Sequence, residues 1–123
     1  MTTRTDIHLF LETRLPGKPW TSFSGHVPIE LPTDYPLFDL LGRSEERTLV
    51  DERGLPAQLS AGARRHLEID SEGFSFKNWI SFDELTRVLA ARKSPSVEYA
   101  ALYAAALEFA KAGYGVRIVY AFD

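Results

Sequence analysis

Asp6-Ile7-His8-Leu9-Phe10-Leu11-Glu12 alternates in the manner of a β-strand. Successive side chains of a strand point to opposite faces. Ile7, Leu9 and Leu11 therefore face a core, and Asp6, His8, Phe10 and Glu12 share the other face. An acid, an imidazole and a second acid along one face are a candidate site, because carboxylate and imidazole both ligate zinc, manganese or iron. On that reading Asp6, His8 and Glu12 are metal ligands or acid–base groups of a metal-dependent hydrolase. The solvent side of an ordinary amphipathic strand has the same pattern. Residues two apart lie about 6.5–7 Å apart at Cα and can share an ion, but Glu12 is two such steps beyond His8.

The strand is expected over residues 6–14. Pro16-Gly17-Lys18 then turns the chain, and residues 20–24 return as a second strand, a hairpin with a loop longer than the two-residue type. In the stretch punctuated by Pro28, Pro32 and Pro36, Asp34 or Thr33 can cap a short helix through Leu37-Phe38-Asp39-Leu40-Leu41, stopped at Gly42. Residues 43–53 mix charges of both signs and read as a surface loop. Residues 57–70 admit two readings. Ser60 can cap a short helix that Gly62 weakens, or Leu67 and Ile69 alternate with His66, Glu68 and Asp70 as a strand. Some strand in the second half is the expectation, followed by a turn at residues 70–73 and a strand over residues 74–80.

Ser81-Phe82-Asp83-Glu84 is a capping box, and Phe82, Leu85 and Leu89 continue an apolar stripe with Val88 beside it. Ser94 is expected to cap a last helix with Pro95 at its first position, ending at Gly113. That helix is apolar almost all round. Val97, Ala101 and Ala104 form one stripe; Tyr99, Tyr103 and Ala106 form another. Such a helix is central to its domain or buried at a subunit contact, so a homodimer through residues 95–112 is a candidate. Residues 116–123 close the chain as a buried strand beside the first. The elements add up to one α+β domain over residues 1–123, a small mainly antiparallel sheet packed against the two C-terminal helices.

The totals narrow the function. The chain has 123 residues, a net charge of -3 and no cysteine, with a pI near 5.6. An acidic balance argues against nucleic acid as the partner. Lack of cysteine removes disulfides, thiolate nucleophiles and iron–sulfur ligation, and agrees with a reducing compartment. The opening residues lack the apolar core of a signal peptide, and no stretch approaches the ~20 apolar residues of a membrane span. A cytoplasmic location is expected. There is no phosphate-cradling glycine loop, no H-E-x-x-H and no G-x-S-x-G.

Short blocks taken in order resemble an uncharacterised family of small bacterial and phage proteins. They are Asp6-Ile7-His8 with Glu12; Gly17-Lys18 with Trp20; Asp34-Tyr35-Pro36-Leu37-Phe38; Arg53-Gly54-Leu55-Pro56; Trp79 followed by Ser81, Glu84 and Leu85; and Val116-Arg117-Ile118-Val119 with Phe122-Asp123. The resemblance departs at two places. Arg4 and Thr5 stand where the family has a cysteine before the aspartate, and Ser75-Phe76-Lys77-Asn78-Trp79 replaces its His-Ser-His-Ser-Trp. The resemblance implies a phage or prophage origin but no reaction. It names Arg53, Trp79 and Asp123 as candidate binding residues, expected near the His8 face if that face is a site. The leading functional expectation is a small cytoplasmic binding or interaction protein, a phage accessory factor with a protein or small-molecule ligand. The metal-dependent hydrolase, with a divalent metal as cofactor, is the alternative.

Overall fold

The computed structural model describes residues 4–69 and 73–123. Strand β1 runs Ile7–Arg14 and pairs at one edge with the short β2, Thr21–Ser22. Helix α1, Tyr35–Phe38, continues as a π-helical turn over Asp39–Arg43 that breaks at Gly42. Helix α2, Ala61–Arg64, likewise continues as a π-helical turn, Arg65–Ile69. Strand β3 (Phe76–Ser81) leads directly into α3 (Phe82–Arg92), which is followed by α4 (Val97–Lys111) and β4 (Gly115–Phe122). The sheet order is β2-β1-β4-β3, antiparallel throughout. The α+β class and the docking of the last strand beside the first are as the sequence indicates.

Each start signal has a local cause. The Asp34 carboxylate accepts from the Leu37 N–H at 3.0 Å and so caps α1. It also takes the Arg92 guanidinium of α3 at 3.0 Å, so one acid ties two helices. Gly42 ends the turn at φ 118°, in the left-handed region, and lies against the Phe76 ring. At α3 both halves of the capping box form: Glu84 N–H to Ser81 Oγ at 3.2 Å and Ser81 N–H to Glu84 Oε1 at 3.0 Å. Ser94 does not cap the last helix. Lys93 adopts φ 70° and Ser94 N–H turns back to the Arg92 carbonyl, so the helix starts two residues later with Ser96 at the cap position.

Two cores flank the sheet. On the first face Ile7, Leu9, Leu11, Ile80, Ile118, Tyr120 and Phe122 pack against α1, α3 and α4. Buried Asn78 pins the 51–53 loop to this face, accepting from Arg53 N–H at 2.6 Å and donating to the Asp51 carbonyl at 2.9 Å. On the second face Phe10, Val119 and Ala121 pack against Leu59, Ala63 and Leu67. Strand β4 is apolar on both sides, and a strand of that kind has to be covered on both.

The cover corrects the strand expected within residues 57–70. Residues 61–69 are helical. Ser60 Oγ caps the helix, accepting from Ala63 N–H at 3.2 Å. Ala63 and Leu67, four apart on one face of the helix, are buried together with Leu59 just before its cap, whereas Ile69 is 70% exposed. Gly62 is admitted because the Gly25 carbonyl oxygen would sit 2.1 Å from any Cβ there. The turn expected at residues 70–73 falls, except for Gly73, outside the described residues. The hairpin's second strand is shorter than expected. After Ser22 the chain leaves the sheet and runs along β1 as a loop, touching it again where Ile29 N–H meets the Leu9 carbonyl at 2.8 Å.

Candidate functional site

The three ionisable groups of the β1 face have three separate sets of partners. Asp6 Oδ1 accepts from Arg4 Nε at 2.7 Å and from Thr33 Oγ1 at 3.2 Å. His8 meets Asp123 and His66. Glu12 is fully buried; its Oε1 takes Arg117 Nε at 2.6 Å and its Oε2 takes Ser60 N–H at 2.7 Å. Cα atoms four residues apart on a strand are roughly 13 Å apart, so Glu12 and His8 do not share an ion. Among the described residues no three or more His, Asp or Glu side chains are placed to hold a metal together. The Asp6/His8/Glu12 metal and acid–base grouping is therefore corrected: the side chains share a face without converging.

Glu12 and Arg117 form the centre of a structural network. They are paired across the sheet in register, and the guanidinium also donates to the Gln58 carbonyl at 2.6 Å. The cover segment thus hangs from the pair through Gln58 and Ser60. Trp20 stacks under this cation at 4.0 Å and under Arg14 at 4.5 Å. Burial pulls the Arg117 guanidinium below its ordinary value, and Glu12 pushes back.

Of the further candidates, Asp123 meets His8 and the other two do not. Asp123 Oδ2 is 3.0 Å from His8 Nε2, and its Oδ1 accepts from Asp6 N–H at 2.8 Å. Partial burial raises the Asp123 carboxyl, but the Asp6 N–H and His8 outweigh it and leave the group below its ordinary value. Arg53 and Trp79 instead find each other: the guanidinium lies over the indole at 4.9 Å, donates to the Trp79 carbonyl and pairs with Glu84 at 2.8 Å. Both tryptophans are half-buried beneath arginines, and Trp79 also packs against the edge of the second core.

His66 is the residue that the strand reading of 57–70 hides. The helix brings its Nε2 to 2.9 Å from His8 Nδ1, and Phe74 packs against both rings. The signal was present: with Leu59, Ala63 and Leu67 inward, His66 falls on the flank of the same helix face.

A mainly apolar concavity lies elsewhere. The loop along β1 and the exposed side of α4 bound a groove of about 450 Å³, walled by Phe23, Ile29, Leu31, Ala101, Leu102 and Ala105. Glu30 and Glu98 stand at its rim, both exposed and neither in an ion pair among the described residues. Phe23 and Val97 are exposed by 57% and 75%, so the groove opens onto further apolar surface. Val97, Ala101 and Ala104, one of the two stripes of the last helix, all face outward here. Among the described residues no helix is long and apolar enough to cross a membrane. Compared with family models, curated proteins and solved structures, the chain finds no match.

Proposed function

We propose that this chain is a small binding protein whose groove between the 23–31 loop and α4 receives a cationic amphipathic segment of a protein partner. The observation that carries this reading is the groove itself. It combines open apolar walls with two carboxylates that have no cationic partner among the described residues. Amphipathic helices are commonly bound this way, apolar anchors in the groove and charges meeting the rim. The rim acids favour a basic segment over an acidic one and speed its approach. Three carboxylates elsewhere are engaged within the fold: Glu12 with Arg117, Glu84 with Arg53, Asp34 with Arg92. The setting in this proposal is the cytoplasm, in a phage or prophage accessory role; the resemblance of the ordered blocks to small bacterial and phage proteins motivates the role, and the lack of cysteine agrees with the compartment. A metal-dependent hydrolase built on Asp6, His8 and Glu12 is not proposed, because those groups do not meet.

The probe is a short amphipathic leucine–lysine helix, with a leucine–glutamate helix of the same pattern as control. Calorimetry should show the basic peptide binding at least about tenfold more tightly, a difference of 1.4 kcal/mol. Ala101→Arg, at an exposed position, should abolish binding while leaving the fold intact. Equal affinity for both peptides, or affinity unchanged in the variant, would overturn the reading. Self-association through the same outward stripe is the competing occupant. Sedimentation that shows a dimer dissociated by Ala101→Arg would replace the partner with a second copy.

A further inference from the structure

His8 and His66 face each other ring nitrogen to ring nitrogen, from opposite sides of the junction between sheet and cover. His8 Nδ1 and His66 Nε2 are 2.9 Å apart. The far nitrogen of His8, Nε2, meets the Asp123 carboxylate at 3.0 Å. A carboxylate only accepts, so His8 Nε2 carries a hydrogen. In neutral His8, Nδ1 then presents a lone pair toward His66. Asp123 is itself fixed by Asp6 N–H at 2.8 Å, so the orientation of the His8 ring is set from behind by the backbone of its own strand.

This is the arrangement by which proteins orient a metal-binding histidine: one ring nitrogen held by a carboxylate, the other aimed at the ion. We propose that His8 Nδ1 and His66 Nε2 bind a divalent transition-metal ion, with Asp123 as the positioning residue behind His8. Two imidazole nitrogens on one tetrahedral zinc are about 3.3 Å apart. The pair therefore needs to separate by only a few tenths of an ångström as His66 gives up its Nε2 hydrogen and, as neutral imidazole, carries its hydrogen on Nδ1. The His8 side chain is 24% exposed and His66 is partly exposed, which gives an ion and its water ligands access. Phe74 and Phe10 flank the rings and hold the two imidazoles side by side. Ligand type favours copper, zinc or nickel over magnesium or calcium, and copper(II) over zinc by the usual order. The proposal is independent of the groove; of the Asp6/His8/Glu12 grouping it keeps only His8, and its second ligand, His66, lies on another element.

The experiment titrates untagged protein with copper(II) and zinc chloride by calorimetry, with magnesium as control. One ion per chain is expected, with copper tighter than zinc and magnesium silent. The copper signal in electron paramagnetic resonance should carry coupling to two imidazole nitrogens. His66→Gln should remove the high-affinity site, and His26→Gln, at an exposed position remote from His8 in sequence, should not. Asp123→Asn should weaken binding about 10–100-fold while both ligands remain. Far-ultraviolet circular dichroism checks that each variant folds, and the resonance spectrum of the unmodified protein stands whether or not they do. No binding at about 1 mM free copper, a spectrum with one nitrogen or none, or binding unchanged in a folded His66→Gln would each overturn the proposal.

Discussion

Replacing Glu12 by alanine should be among the most costly single changes in this protein. The side chain is fully buried, and its partner Arg117 is 8% exposed at the side chain. The carboxylate accepts at 2.6 Å from that guanidinium and at 2.7 Å from Ser60 N–H. Without it Arg117 keeps only the Gln58 carbonyl and the Trp20 face. Breaking a buried pair from one side costs about 3–5 kcal/mol, because the remaining charge stays out of water uncompensated. Whole domains are stable by only about 5–15 kcal/mol, so Glu12→Ala should unfold at a much lower urea concentration with its slope unchanged. The double variant Glu12→Leu with Arg117→Met removes both charges and should recover much of the loss. A double-mutant cycle then gives a large coupling. Exposed pairs contribute about 0–1 kcal/mol. A Glu12→Ala cost in that range, with no coupling, would refute the burial argument and reopen the second face as solvent-accessible.

Four more outcomes follow from named contacts. Ser81→Ala should cost about 1 kcal/mol by removing the α3 cap. Burial raises the Glu84 carboxyl, but Ser81 N–H and Arg53 outweigh it and hold the group below its ordinary value. Its stabilising contribution is therefore complete above that ordinary value, 4.5, and is lost as pH falls through the lower folded value. Glu84→Gln should flatten this acid limb in pH-dependent urea melts, and an unchanged limb would contradict the assignment. Gly62→Ala forces a methyl group onto the Gly25 carbonyl and should cost about 1–3 kcal/mol; a midpoint like the parent's would show that the cover helix does not rest on that loop. Burial raises both Tyr99 and Tyr120. Spectrophotometric titration of the folded protein should find them ionising above the ordinary range near 10, and ionisation of either within that range would contradict its packing.

The sheet was legible because its strands carry local signals: the alternation at Ile7, Leu9 and Leu11, the β-branched run at Val116–Val119, and the Ser81/Glu84 box that marks where β3 becomes α3. The second core was less so. Phe10, Val119 and Ala121 are apolar residues on what reads as a polar face, and they require a cover that only the folded chain identifies. The second half of residues 57–70 reads as a strand because His66, Leu67, Glu68 and Ile69 fit both periods over so short a run. The longer spacing of Leu59, Ala63 and Leu67 decides for a helix. Ser94 and Pro95 form a good local start signal that loses to the backbone turn at Lys93, where Ser94 N–H bonds to the Arg92 carbonyl. Asp6, His8 and Glu12 show the limit of spacing as a guide to a site. The period places them on one face, but apart from Arg4 the partners arrive from residues 33, 60, 66, 117 and 123, at distances in sequence that no local pattern encodes.

The binding groove is the claim on which the functional account turns, and chemical-shift mapping tests it most directly. Isotope-labelled protein titrated with the basic leucine–lysine helix should shift the amide signals of Phe23, Ile29, Leu31, Ala101 and Ala105 together. Those of His8, His66 and Trp79 should stay in place. Shifts gathered around His8 or Trp79, with the groove signals unmoved, would contradict it.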